Sequence, residues 1–328
     1  MNPFAYERVA DVDAAISAIG PDARFLAGGT NLLDLMKGDI ENPSRLIDIN
    51  RLPLAQVTET AQGGLRIGAL VRNSDCAENP VVKERYPLLS QALLAGASPQ
   101  LRNMASVGGN LMQRTRCYYF YDTAFAECNK RDPGSGCAAR EGFNRIHAIL
   151  GASDQCVAVH PSDMAVALAA LDAQIEVQGP DGTRRIAASE FHRLPGDAPQ
   201  RDTVLGAGEL IVAIELPPNR LAGRSLYLKL RDRASFAFAL VSVAAALEVE
   251  NGVVKDARVA LGGVAHKPWR PRDAERALIG SRMHSSALAR AADAAIAGAR
   301  PLQHNAFKVE LARRAVVRAL ETLSRASG

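Results

Sequence analysis

What this 328-residue chain lacks narrows its class before any motif is read. No stretch approaches the roughly 18 consecutive apolar residues that a membrane-spanning helix needs. The first residues, MNPFAYERVADVDAAISAIG, have no basic region followed by an apolar run, so no targeting segment is read there. Charge of one sign is scarce as well: 39 Lys and Arg face 35 Asp and Glu, a net charge of +4, and apart from one cluster the basic residues are spread out. A nucleic-acid footprint is therefore unsupported. The five cysteines are odd in number and form no C-x₂₋₄-C pair, unlike a secreted disulfide framework or a common zinc site. There is no internal repeat, no low-complexity segment and no G-x-x-x-x-G-K-[ST] phosphate loop. The one match to a dinucleotide fingerprint, Gly134-Ser135-Gly136-Cys137-Ala138-Ala139, follows Asp132-Pro133 where a strand should stand, and is discarded.

What remains is an ordinary globular composition, 48% hydrophobic and 23% charged, with enough length for two or three domains. Periodicity predicts a short helix over residues 11–19 and a strand at 24–26 that runs into glycines. It then predicts a helix at 32–37, strands near 45–49 and 65–67, and a helix at 87–95. Further on come a helix at 164–171 and a hairpin, 173–177 with 184–186, turning at Gly179-Pro180-Asp181-Gly182. A Pro/Gly-rich stretch at 216–223 marks a boundary. Beyond it, three antiparallel strands (225–230, 242–250, 254–261) precede two helices (285–299, 307–323), an order suited to a sheet covered by helices.

Two glycine turns carry chemistry. Gly28-Gly29-Thr30-Asn31 and Ser106-Val107-Gly108-Gly109-Asn110 each combine paired glycines, a hydroxyl and an Asn, a make-up in which backbone amides can wrap a phosphate because no Cβ holds the anion away. Either one alone also reads as a plain turn. Cys117, Cys128, Cys137 and Cys156 are separated by ten, eight and eighteen residues and make a complete four-thiolate set for zinc or for an iron–sulfur cluster. Arg114, Arg116, Lys130 and Arg131 stand ready to offset cluster charge, and Tyr118, Tyr119, Phe120 and Tyr121 to exclude water. The competing reading is a loop with scattered buried thiols and a solvated basic face. Cys76 stands alone and reads as structural, His160-Pro161-Ser162-Asp163 as a turn, and no Ser–His–acid or Cys–His arrangement can be assembled.

With these motifs in this order, the chain resembles the flavin-binding subunits of the xanthine dehydrogenase/aldehyde oxidoreductase family of molybdenum enzymes over essentially its whole length. The cysteine segment, with Arg231-Asp232-Arg233-Ala234-Ser235 and Gly262-Gly263-Val264-Ala265-His266-Lys267-Pro268-Trp269, resembles the FAD and [4Fe–4S] subunit of bacterial periplasmic aldehyde oxidoreductases. The 4-hydroxybenzoyl-CoA reductase subunit stays as an alternative, as does a zinc-stapled, non-catalytic assembly protein. The resemblance implies an α+β fold: a two-part FAD-binding domain of the vanillyl-alcohol-oxidase type at residues 1–220, then a C-terminal domain at 221–328 with an antiparallel sheet and helices. Within the first, subdomains at 1–55 and 56–220 are expected, with an iron–sulfur insertion at about 114–157.

The resemblance also implies site residues. FAD is expected at Leu26, Ala27, Gly28, Gly29, Thr30, Asn31, Leu32 and Leu33, at Ser106, Gly108, Gly109 and Asn110, and at Asp163, Ile211 and Lys229. A [4Fe–4S] cluster is expected on Cys117, Cys128, Cys137 and Cys156, and no residue is expected to act as a catalytic acid or base. Where the animal enzymes pack an aromatic near the flavin, the matching place, near Leu94, is aliphatic. The implied partners are a large molybdenum-cofactor subunit and a small [2Fe–2S] subunit in a heterotrimer, with electrons leaving through FAD to an external acceptor. The expected location is cytoplasmic, or periplasmic by co-export with a signal-bearing partner.

Overall fold

The computed structural model of the chain describes residues 1–325. Its strands form three sheets. The first, from β1 (Ala5–Arg8), β2 (Ala23–Leu26) and β3 (Arg45–Asp48), is parallel with β3 in the centre. Parallel neighbours need crossovers, and the short helices Val12–Ala18 and Leu32–Lys37 lie in them. Asp11 starts the first of these helices by accepting a hydrogen bond from the Ala14 amide at 2.7 Å.

The second sheet is antiparallel, ordered β4 (Val57–Glu59), β5 (Leu65–Gly68), β8 (Leu210–Leu216), β6 (Gln174–Gly179) and β7 (Gly182–Ala187). The predicted turn joins β6 to β7, and Gly182 takes the left-handed φ of +102° that glycine tolerates. The last of these strands in the chain, β8, fills the centre of the sheet, which is why its side chains are nearly all buried. Everything between β5 and β6, including the cysteine segment, is one long excursion from this sheet.

The third sheet, β9 (Ser225–Leu230), β10 (Val241–Glu250) and β11 (Val253–Gly262), is antiparallel with β10 central. Its apolar run in β10 has a physical cause, because both faces are covered. Val241, Val243, Ala245 and Leu247 meet the C-terminal helices Ser285–Ala295 and Phe307–Arg325. Ala244 and Ala246 share a core with residues of the helices Pro87–Ala95 and Asp163–Ala170. Alanine on that second face lets the C-terminal sheet approach the preceding domain closely, so the two halves share one core rather than hanging on a linker. The fold is α+β, as the resemblance implied. Among the described residues no helix is long and apolar enough to cross a membrane.

Sequence reading missed β1, whose four residues are all exposed and carry no apolar alternation. It also treated Ser106–Asn110 as a loop, whereas Val107–Leu111 is a helical turn with Ser106 at its N-cap.

Candidate functional site: two glycine turns and a thiol-lined cavity

The two glycine turns meet. A Cβ at Gly28 would fall well inside contact distance of the Met104 carbonyl, just before Ser106, so only glycine lets the first turn lie against the second. Gly29 has φ +72°, a conformation that side-chain-bearing residues rarely adopt. β2 delivers this turn at the edge of the parallel sheet, and Asn50 braces its entry, donating from Nδ2 to the carbonyls of Leu26 and Ala27 at 3.3 and 3.0 Å. Asp48 accepts from the same Asn50 amide at 2.7 Å. Burial opposes the charge of Asp48, but hydrogen bonds from Tyr6, Asn50 and Arg8 prevail and lower its pKa to about 2.

The amides of the two turns differ. Among the described residues, those of Gly28, Gly29, Thr30 and Asn31 donate to no protein group. In the second turn every amide after Ser106 is engaged: Val107 to Val71 O at 2.9 Å, Gly108 to Ala69 O at 2.8 Å, Gly109 to Ser106 Oγ at 3.2 Å, and Asn110 to Ser106 O at 2.8 Å. The two Asn side chains also have protein partners. Asn31 accepts from the Arg114 amide at 2.9 Å and donates to the Tyr121 hydroxyl at 3.0 Å. Asn110 accepts from Ser162 Oγ at 2.6 Å and from Gln113 Nε2 at 2.7 Å.

That Ser162 contact leads to the next expected residues. Ser162 caps the helix Asp163–Ala170 by accepting from the Ala165 amide at 2.9 Å. Asp163 accepts from Lys229 Nζ at 2.7 Å and from the Tyr227 hydroxyl at 2.6 Å, and both ions of the Asp163–Lys229 pair are nearly buried, at 7% and 4% side-chain exposure. Lys229 also donates to Ala95 O at 3.0 Å. Next to Ala95, Leu94 is exposed. Burial, with the Asp163 charge beside it, pushes the Tyr227 phenol well above its ordinary pKa, so it stays a donor. Leu26, Ala27, Leu32 and Leu33 flank the first turn and are half-buried. Ile211 stands apart from this line of contacts, 5% exposed in the core shared with the helix Asp163–Ala170. A cavity of about 770 Å³ of non-atom space, open to solvent, is lined in part by Asn50, Leu70 and Arg72. Arg72 donates to the Met104 carbonyl, which places this cavity beside the meeting of the turns.

The four cysteines come together from three stretches of irregular chain. Cys117, Cys128, Cys137 and Cys156 line one cavity with Tyr119, Phe120 and Lys130. It holds about 280 Å³ of non-atom space. Cys128 and Cys137 pair as an isolated antiparallel bridge. Asn129 fastens three segments, accepting from the Gly134 and Gly136 amides at 2.9 Å each and donating to Gln155 O at 3.0 Å. Burial pushes the Cys117 thiol up to about 12 and Cys156 to about 11, and raises Cys137. Without a cation among them these thiols stay protonated. Among the described residues, no three His, Cys, Asp or Glu side chains converge tightly enough for a single metal ion.

The basic side chains have protein partners. Arg114 pairs with Glu41 and with Asp202, Arg116 with Asp34 at 3.2 Å, and Arg131 caps the carbonyls of Tyr119 and Phe120. Only Lys130 lines the cavity, and it pairs with Asp202. Tyr119 and Phe120 are buried as expected for a water-excluding wall, whereas Tyr118 is exposed and Tyr121 turns to Asn31. Sequence reading missed His147, whose Nε2 lies 3.0 Å from Cys117 Sγ, and Asn129, for which adjacency to Cys128 was the available signal. Burial and the nearby Lys308 charge lower the His147 pKa to about 4, so it is neutral. Cys76 is fully buried and far from these thiols in sequence, and burial lifts its pKa to about 12.

The chain matches the family described as the FAD binding domain in molybdopterin dehydrogenase over residues 2–219 and the CO dehydrogenase flavoprotein C-terminal domain over residues 226–323. It is 54% identical over 323 residues to the aldehyde oxidoreductase FAD-binding subunit PaoB of Escherichia coli, covering 98% of each chain. It is 28% identical over 321 residues to the carbon monoxide dehydrogenase medium chain of Hydrogenophaga pseudoflava, covering 96% of this chain and 94% of that one. A solved structure of carbon monoxide dehydrogenase from the same organism superposes with a TM-score of 0.76 at 29% identity, over 98% of this chain and 96% of that chain. The chain therefore belongs to the FAD-binding subunits of the molybdenum hydroxylases.

Proposed function

We propose that this chain is the electron-transfer flavoprotein subunit of a molybdenum-dependent aldehyde oxidoreductase, working beside a large molybdenum-cofactor subunit and a small [2Fe–2S] subunit. The reading rests on one observation above others: four successive unengaged amides in a turn that only glycine can form, inside the stretch that matches the FAD-binding domain family. The 54% identity to an aldehyde oxidoreductase subunit gives the reaction class.

When bound, FAD supplies exchange between one-electron and two-electron carriers. The residues of this chain bind and orient it. The amides of Gly28, Gly29, Thr30 and Asn31 would take the diphosphate, with Leu26, Ala27, Leu32 and Leu33 shaping the turn. Ser106, Gly108, Gly109 and Asn110 back that turn through Met104 and hold Ser162. Asp163 and Lys229 hold each other beside the carbonyl of Ala95, fixing the C-terminal sheet against the cofactor domain. Ile211 would set the wall of β8 behind the second turn. No side chain is assigned as general acid or base.

The four thiols would hold a [4Fe–4S] cluster. A single zinc needs all its thiolates about 2.3 Å from one point, whereas a cluster distributes four cysteines over separate irons. What supports the cluster reading is that all four thiols line one cavity together with Tyr119 and Phe120. Tyr119 and Phe120 would keep water from the cluster, and Lys130 would temper its charge.

Anaerobic purification with quantitation of flavin, iron, sulfide and zinc tests both parts. The expected result is stoichiometric FAD with equimolar iron and acid-labile sulfide; zinc with neither flavin nor sulfide would overturn the reading.

A further inference from the structure

The first turn and the cysteine segment are tied by an unusual use of one side chain. Asn31 occupies the N-cap of the helix Leu32–Lys37, where an Asn ordinarily accepts from an amide of its own first turn. Here it makes no such bond. Its oxygen instead accepts from the Arg114 amide and its nitrogen donates to the Tyr121 hydroxyl.

Tyr121 is placed by a cysteine. Its amide donates to the Cys117 carbonyl at 3.1 Å, closing the short helical turn Tyr118–Tyr121 that starts at Cys117. Its ring packs edge-on against Phe120, which lines the thiol cavity. The Arg116 guanidinium lies 5.1 Å from the ring centres of both Tyr121 and Phe238 and pairs with Asp34, three residues beyond Asn31. Whatever fixes Cys117 thus fixes the hydroxyl that holds Asn31, and Asn31 ends the turn whose amides are free.

We propose that Tyr121 is a positioning residue for FAD: through Asn31 it couples the folded, metal-loaded cysteine segment to the first glycine turn. This rests on the proposed function, with FAD on that turn and a cluster on the thiols. Tyr121 touches neither group; it acts by keeping the turn in its binding shape.

The test uses the full chain, deflavinated and retitrated with FAD by fluorescence, with iron and sulfide assayed in parallel. Tyr121→Phe deletes the hydroxyl and keeps the ring. Tyr118→Phe, in the same helical turn, is the control, since Tyr118 is exposed and its hydroxyl makes no hydrogen bond among the described residues. Tyr121→Phe should keep wild-type iron and sulfide and raise the FAD Kd about three- to tenfold, the range for losing one hydrogen bond. Tyr118→Phe should match wild type. Removing the cluster should weaken FAD binding by a larger factor in wild type than in Tyr121→Phe, because the link is already cut.

An unchanged Kd in Tyr121→Phe, an equal response of both proteins to cluster removal, or loss of iron from Tyr121→Phe would overturn the coupling. A wild-type chain that binds no FAD overturns the function reading itself, whereas one that binds FAD normally while Tyr121→Phe does so equally well overturns the coupling alone.

Discussion

The two glycine turns look alike in sequence and differ in state. Gly28-Gly29-Thr30-Asn31 leaves its amides without protein acceptors, while in Ser106-Val107-Gly108-Gly109-Asn110 each amide after Ser106 already has one. The difference lies in the residues that flank each pair of glycines. In the first, Asn31 turns its side chain away to the cysteine segment and leaves the turn open; in the second, Ser106 caps its own helical turn and carbonyls of the turn Ala69–Val71 accept the rest. On the proposed function, the first turn receives the anion and the second supports the first.

The largest expected effect separates them by a single methyl group. Gly28→Ala drives a Cβ into the Met104 carbonyl, backbone that cannot swing aside, so FAD retention should be lost and thermal stability should fall by several kcal/mol. Gly108→Ala meets the Ala69 Cβ at 3.0 Å, a contact that a small shift relieves; about 1 kcal/mol of destabilisation with FAD retained is expected. Flavin content and denaturant unfolding of the two variants measure the contrast. Equal losses would erase it.

Next in size is the buried pair below the second turn. Lys229→Met leaves Asp163 without its cation in a nearly buried site, at a cost of about 3–5 kcal/mol. Urea unfolding should show this loss, and Asp163→Asn in the same background should recover part of it, because a neutral amide needs no cation.

Smaller is the replacement of one thiol. Cys128→Ser should abolish acid-labile sulfide, whereas Cys76→Ser should leave iron and sulfide unchanged and cost about 1–3 kcal/mol for burying a hydroxyl in an apolar site. Sulfide assay beside thermal unfolding distinguishes the two.

The smallest effect is one of pH. Asp48 holds Asn50, which braces the entry to the first turn. Its pKa is depressed from 3.8 to about 2, so its contribution is fully present above about pH 4 and is lost as pH falls toward 2. Flavin release on acidification should begin in that window in wild type, whereas Asn50→Ala, in which the link from Asp48 to the turn is cut, should bind flavin more weakly at neutral pH and lose this dependence on pH.

Much of this architecture was legible in the sequence, and the remainder was hidden for identifiable reasons. The helix at Pro87–Ala95 and the strands at Ser225–Leu230, Val241–Glu250 and Val253–Gly262 announce themselves because their apolar patterns are long. β1 was invisible because it is held by the backbone of β3 alone, with its side chains exposed. The glycine pairs were readable as turns, but which of them keeps free amides depends on Ala69, Val71 and Arg114, partners distant in sequence. The four cysteines could be counted, yet their common cavity depends on Asn129 bridging three irregular segments, a pattern without periodicity. The basic cluster misled for a related reason, since the carboxylates that pair with it, Glu41, Asp34 and Asp202, lie on other segments.

The most direct measurement is backbone hydrogen exchange on flavin-free and FAD-loaded chain, resolved to the segments 26–33 and 105–112. Amides of the first turn should exchange fast without FAD and become strongly protected with it, while those of the second should be slow in both forms. Protection gained in the second turn with none in the first would contradict the account.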